Sequence, residues 1–95
     1  MKILFTEYAE KQFLEYLDFI RSDNPDAAIK MRDKALTTLK RLKTFPESGR
    51  IIPEYPGFPY REVIVKPCRF FYRIIGDSII IVAMWHSAQI PDEPK

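Results

Sequence analysis

Side chains that bind metals or form disulfides are scarce in this 95-residue chain. Cys68 is the single cysteine and His86 the single histidine. An internal disulfide is therefore excluded, and a zinc site built from Cys and His ligands is not expected. A lone cysteine fits a reducing compartment, so we expect a cytoplasmic location. We predict no metal and no other cofactor.

Excess charge and long apolar runs are also lacking. The 15 Lys and Arg exceed the 13 Asp and Glu by only two, so any contact with nucleic acid needs a local cluster of cations. Only three apolar residues follow Lys2 before Thr6, which predicts no signal peptide, and no stretch reaches membrane-spanning length. A content of 46% apolar and 29% charged residues predicts one globular domain, residues 1–95.

Three runs rich in β-branched and aromatic residues lie between positions 60 and 86. Turn signals separate them at Pro67, which cannot donate to a β-ladder, and at Gly76-Asp77, which suits a tight hairpin. The pattern predicts three antiparallel strands in a meander. The last run, residues 79–84, is apolar on both faces, which predicts a strand in the middle of the sheet.

A short strand and two helices are predicted before this meander. Residues 2–5 form the strand, and Thr6 caps an amphipathic helix that runs from residue 7 to about residue 21. Asn24 and Pro25 start a second helix that extends to about residue 43, and a stiff proline-rich loop follows over residues 46–59. The order β-α-α-β-β-β predicts an α+β domain, with a helical hairpin packed on one face of a mainly antiparallel sheet. The other face is then left to solvent or a partner.

Three arginines in the meander are candidates for binding an anion. Strand alternation places Arg69 and Arg73 on the same side, and Arg61 leads the preceding strand and could join them. A row of guanidinium groups matches phosphate oxygens well. The alternative is that these arginines pair with Glu54, Glu62 or helix carboxylates at the rim of the sheet. The sequence leaves both hypotheses open.

Two residues are candidates for acid–base chemistry. His86 ends the inner strand, and the ordinary pKa of histidine suits proton transfer near neutrality. A purely structural histidine is the alternative there. Glu54 lies in the stiff loop and is a possible carboxylate base, whereas Cys68 is interpreted as a turn residue. The sequence contains no glycine-rich phosphate loop, no Gly-x-Ser-x-Gly elbow and no paired-cysteine metal motif.

Four segments together resemble the RelE/ParE superfamily of toxins from bacterial type II toxin–antitoxin modules. They are FPESGR (45–50), YRE (60–62), RFFYRI (69–74) and the run from residue 79 to 89 that ends in WHSAQ. The similarity spans nearly the whole chain and includes the order of the elements. It implies a cognate small acidic antitoxin as partner and no cofactor. Members that resemble RelE cleave messenger RNA on the ribosome without a metal, whereas members that resemble ParE poison DNA gyrase and cleave no RNA.

The resemblance to the RelE-like nucleases also implies roles for individual residues. Glu54 corresponds to the general base, Arg69 to the cation that stabilises the phosphate, and His86 to the general acid. The residues that correspond to supporting, substrate-binding cations are Arg50, Arg61 and Arg73. The first prediction for the mechanism is therefore a ribosome-dependent, metal-independent mRNA endoribonuclease, with the ribosome and mRNA as partners.

A second mechanism is implied by the end of the fourth segment. His86-Ser-Ala-Gln resembles the His-Gly-Ala-Arg ending of ParE-like members, in which the histidine has no catalytic role. The alternative is thus a toxin that inhibits DNA gyrase by binding alone. A third possibility is an inactive toxin-fold protein that only binds its antitoxin. The nuclease hypothesis requires Glu54, Arg69 and His86 to converge on one cleft, and the binding hypotheses do not.

Overall fold

The computed structural model describes residues 1–86, which form two helices and five strands. A 3₁₀ turn, Arg41–Lys43, continues the second helix. The elements are β1 (Lys2–Phe5), α1 (Glu7–Asp23), α2 (Pro25–Lys40), β2 (Arg50–Ile51), β3 (Arg61–Val65), β4 (Cys68–Ile75) and β5 (Ser78–His86). The last three residues of the WHSAQ sequence, 87–89, lie outside the described part of the chain.

Both helices begin at the residues that their capping signals predict. The Thr6 hydroxyl accepts a hydrogen bond from the Ala9 amide at 3.0 Å, and the Asn24 side chain accepts one from the Ala27 amide at 3.1 Å. Pro25 occupies the first turn of α2, where its missing N–H costs no helical hydrogen bond. These caps satisfy amide donors that a helix start leaves unpaired.

The sheet confirms the predicted α+β architecture. Its strand order is β1-β5-β4-β3-β2, with β1 parallel to β5 and the other neighbours antiparallel. β5 therefore lies inside the sheet, as its apolar sequence predicts. The two-residue strand β2 was not predicted, because it forms within the proline-rich loop by pairing with the start of β3.

The two faces of the sheet are buried in different ways. On the helix face, side chains of β4 and β5 such as Phe70, Tyr72 and Ile81 are fully buried in one cluster with residues of α1 and α2. The opposite face is covered in part by residues 52–60, of which Ile52 and Tyr60 are buried. We call the face of the sheet that residues 52–60 cover the loop face. The expectation that this face is left to solvent or a partner is thus wrong for the part that the loop covers, because the loop carries apolar side chains of its own.

A β-bulge in β5 determines which face its last residues occupy. Phe71 pairs with Ala83 but Tyr72 pairs with Ile81, so Val82 is an extra residue. Val82 and Ala83 consequently both belong to the loop-face cluster. The bulge resets the alternation, so that Trp85 packs on the loop face and His86 follows on the helix face.

Candidate functional site

Arg69 lies at the centre of a network of charged side chains on the loop face. Its Nη1 and Nη2 donate to the two oxygens of Glu54 at 2.8 and 2.7 Å. Its Nε and Nη2 also donate to Oε2 of Glu62, at 3.0 and 2.6 Å. All three nitrogens of the guanidinium group are therefore engaged by carboxylates. This confirms, for Arg69, the alternative in which the strand arginines pair with Glu54 and Glu62.

Arg50 extends the same network across the sheet. Its Nε and Nη2 each lie 2.7 Å from Oε1 of Glu62. The side chain of Glu62 has no exposed surface, so this carboxylate is buried between two arginines. Register explains the arrangement, because Arg50 is paired with Glu62 between neighbouring strands. Removal of either arginine would leave part of this buried carboxylate without a partner, which is costly in a protein interior.

The contacts between Arg69 and Glu54 shift the pKa values of both side chains. The hydrogen bonds from Arg69 lower the pKa of Glu54 to about 2. Reciprocally, Glu54 and then Glu62 raise the pKa of Arg69 above its ordinary value. Glu54 is therefore a carboxylate throughout the physiological range, and the positive charge of Arg69 is matched by two negative charges.

His86 lies on the other face of the sheet. Its ring centroid is 6.5 Å from that of Tyr16 on α1, and the cross-strand partner of His86 is Cys68, which belongs to the helix-face cluster. The corresponding partner of Arg69 is Trp85, on the loop face. Glu54 and Arg69 thus meet, but the sheet separates them from His86. The catalytic roles of the three residues stay a prediction.

Cys68 is part of the core rather than of a reactive site. It is fully buried, and burial raises the pKa of its thiol to about 11. A protonated thiol of this kind is a poor nucleophile.

Arg61 and Arg73 do not enter the network around Arg69. Arg61 pairs across the strands with Tyr72, which is on the helix face, and its Nη1 donates to the Gly49 carbonyl at 2.9 Å. The hypothesis that Arg61 joins Arg69 and Arg73 on one side is not met, because the register of β3 on β4 places Arg61 opposite Tyr72. Arg73 does lie on the loop face, with its guanidinium carbon 5.5 Å from the centre of the Tyr60 ring. Both arginines line one small cavity at the edge of the sheet.

Tyr72 binds the segment that precedes β2, a contact that the sequence analysis did not identify. Its hydroxyl donates to the Pro46 carbonyl at 2.7 Å and accepts from the Gly49 amide at 2.9 Å. A Cβ atom on Gly49 would lie 2.5 Å from this hydroxyl, so the close approach requires glycine. The signal was present in the sequence, since FPESGR and RFFYRI both belong to the four segments of the resemblance.

Two kinds of feature are not found among residues 1–86. No helix there is long and apolar enough to cross a bilayer. No group of three or more His, Cys, Asp or Glu side chains in that range is arranged to hold a metal ion.

Comparison with known proteins identifies the family. The family model described as "ParE toxin of type II toxin-antitoxin system, parDE" matches residues 3–91. The chain belongs to the ParE toxin family. The predicted membership of the RelE/ParE superfamily is thereby confirmed. No curated protein matches this ParE-family chain by sequence.

A solved structure supports the fold of this ParE-family chain. It is titled "Chromosomal ParDE TA system from P. aeruginosa", and it aligns with a TM-score of 0.73 at 19% sequence identity. The alignment covers 90% of this chain and 95% of the other. At that level of identity the likeness shows the fold and not the target.

Proposed function

We propose that this ParE-family chain is a toxin that arrests growth by binding a protein target, DNA gyrase, and that it does not cleave RNA. A cognate antitoxin silences it. The observation that carries the proposal is the charge-matched pair of Arg69 and Glu54, on the opposite face of the sheet from His86. Membership of the ParE family, whose members the sequence resemblance associates with gyrase, supports the same target.

A nuclease of the predicted type needs three groups that are ready to act on one phosphate. Arg69 is a poor candidate for the cation, because a phosphate would have to displace two carboxylates from it. Glu54 is a poor candidate for the base, since a carboxylate with a pKa of about 2 has little affinity for a proton near neutrality. His86 is a poor candidate for the acid of the same site, because the sheet lies between them. These contacts favour a binding mechanism over catalysis.

The helical hairpin offers a surface for the antitoxin. Ile29 and Leu36 are one heptad apart on α2, so they share a stripe of the helix, and both are exposed. Arg32 lies between them and Lys40 follows Leu36, each at the three- or four-residue spacing of the same stripe. An exposed apolar stripe beside cations suits an acidic amphipathic segment that folds on binding. We therefore propose a small acidic antitoxin as the partner of this chain.

The order in which cellular processes stop tests the target. The toxin is expressed from a tightly repressed promoter, and incorporation of labelled thymidine and of labelled amino acids is followed after induction. We expect DNA synthesis to stop first. Purified toxin should also inhibit supercoiling by gyrase in vitro and leave mRNA on ribosomes intact. Earlier arrest of translation, with cleaved mRNA, would contradict the proposal and support the nuclease.

A further inference from the structure

A small cavity lies where β4 extends past the start of β3. β3 begins at Arg61, opposite Tyr72, so Arg73 and Ile74 have no partner residue on β3. The cavity beside this overhang has a volume of about 160 Å³. It is bounded by apolar side chains that include Ile51, Phe58, Tyr60 and Ile74, and by the two arginines Arg61 and Arg73.

The two arginines of this cavity differ from Arg50 and Arg69 in having no carboxylate. Among residues 1–86, no ion pair is formed by either Arg61 or Arg73. Arg61 uses only Nη1, on the Gly49 carbonyl. The Nε of Arg73 is buried and has no hydrogen-bond partner within the described residues. No hydrogen bond or ion pair of Arg73 is formed within the described residues, so its guanidinium group, which borders the cavity, is available to an acceptor from outside.

We propose that this cavity binds the carboxylate of one aspartate or glutamate side chain of a protein partner. Guanidinium groups bind carboxylates through short, charge-assisted hydrogen bonds. The Tyr60 ring, over which Arg73 is stacked, keeps that guanidinium in place. The apolar walls suit the methylene groups of an acidic side chain. The proposal rests on the proposed function only in taking the partner to be a protein.

Size and surroundings favour a side chain over nucleic acid. Pockets that hold small-molecule ligands usually measure roughly 300–1,000 Å³, so this cavity fits a single side chain better than a nucleotide. Nucleic acid is held by several cations along its backbone. Here the neighbouring cations, Arg50 and Arg69, are already matched by Glu62 and Glu54. Arg61 borders the cavity from the helix face and Arg73 from the loop face, because the cavity lies at the edge of the sheet where β3 ends, and one carboxylate between them suits its size.

The test is a titration followed by NMR of the arginine Nε–Hε groups and the backbone amides. The probes are the peptide Ac-Ala-Glu-Ala-NH₂, its Gln counterpart and inorganic phosphate, at constant ionic strength. We expect the Glu peptide to give a saturable shift at Arg73 and to bind at least about tenfold more tightly than the Gln peptide, since a charge-assisted hydrogen bond is lost in the latter. Phosphate should bind more weakly than the Glu peptide.

Variants connect the binding to the cavity. Arg73→Gln should weaken binding of the Glu peptide by at least about tenfold, and Arg73→Lys should weaken it less, because it keeps the charge but not the planar fork. Arg21→Gln, an exposed arginine paired with Asp18 on α1, is the matched control and should bind as the unmodified chain does. If Arg73→Gln does not fold, Arg61→Gln replaces it.

Three results would overturn the proposal. They are the absence of a saturable shift with the Glu peptide, unchanged affinity in a folded cavity variant, and phosphate binding about tenfold more tightly than the peptide. The last result would assign the cavity to a phosphate. The titration does not involve gyrase, so a toxin that arrested translation would still give the expected shifts. The two proposals can therefore fail separately.

Discussion

Arg69 and Glu54 form a bidentate ion pair, with the Nη1 and Nη2 atoms of the arginine 2.8 and 2.7 Å from the two carboxylate oxygens. Arg69 is on β4, and Glu54 is in the loop that covers the sheet. The arginine side chain is 7% exposed and the glutamate side chain 38% exposed. Glu62, the second partner of Arg69, has no exposure at all. The two carboxylates therefore contribute to stability in different degrees.

Substitution of Glu62 should lower the free energy of unfolding far more than substitution of Glu54. Glu62→Gln removes a buried charge between two arginines, and we expect a loss of about 3 kcal/mol in the free energy of unfolding. Glu54→Gln should cost about 1 kcal/mol, because solvent screens a pair with one partner more than a third exposed. Urea unfolding measures both values. Asp33→Asn, which breaks the exposed pair with Arg32, is the control and should change stability by less than about 1 kcal/mol. Equal losses at positions 54 and 62 would contradict this account.

Stability should fall in acid as the pair of Glu54 and Arg69 is broken. Arg69 lowers the pKa of Glu54 in the folded protein to about 2, from an ordinary value of 4.5. The folded state therefore binds this proton less readily than the unfolded state, so the stabilisation is present above pH 4.5 and is lost as the pH falls from there towards 2. Thermal unfolding between pH 7 and pH 2 measures the dependence. Glu54→Gln should flatten the curve in that window, and an unchanged curve would show that other groups cause the acid sensitivity.

The contact between Gly49 and Tyr72 should tolerate no side chain. In Gly49→Ala the new Cβ would lie 2.5 Å from the Tyr72 hydroxyl and 2.8 Å from the Glu62 carbonyl, so the loop or the ring must move. We expect a loss of about 2 kcal/mol or more, because overpacking and a broken buried hydrogen bond add. Gly57→Ala is the matched control, since a Cβ there meets nothing within 4 Å. Comparable melting temperatures for the two variants would show that the loop adapts.

The local signals in the sequence predicted the fold well, because each of them acts through its own neighbours. Thr6, Asn24 and Pro25 determine the helix starts by contacts within one turn, and these are the starts that the structure shows. The apolar run of β5 likewise predicted its interior place in the sheet.

The arrangement of the candidate site could not be predicted in the same way, because it depends on register between strands. The extra residue Val82 is invisible as a bulge in a uniformly apolar run, yet it determines the face on which His86 lies. The position of Arg61 beside Tyr72 depends on the pairing of β3 with β4. The sequence left open whether Arg69 binds an outside anion or pairs with Glu54 and Glu62. The choice depends on where the loop that carries Glu54 lies on the sheet, which the sequence alone does not show.

Growth arrest by a binding toxin should survive the loss of the imidazole. His86→Gln keeps hydrogen bonding but cannot exchange a proton near neutral pH. A positioned general acid contributes roughly 10²–10⁴ in rate, so a nuclease that used His86 would lose nearly all activity. We expect this variant to arrest growth as the unmodified toxin does, because His86 lies on the opposite face of the sheet from Arg69 and Glu54. Colony counts after induction measure the toxicity, and the melting temperature shows that the variant is folded.

A destabilised variant is the control, because it separates loss of toxicity through unfolding from loss of toxicity through a missing imidazole. Gly49→Ala should lower the melting temperature and the amount of folded toxin in the cell, and so weaken arrest, whereas His86→Gln should change neither property. Cleavage of mRNA in induced cells is followed in parallel by primer extension. A well-folded His86→Gln protein that no longer arrests growth, together with mRNA cleavage that is present in the unmodified toxin and absent from the variant, would reverse our proposal. It would establish His86 as the general acid of a nuclease in which the histidine acts apart from the Arg69–Glu54 pair.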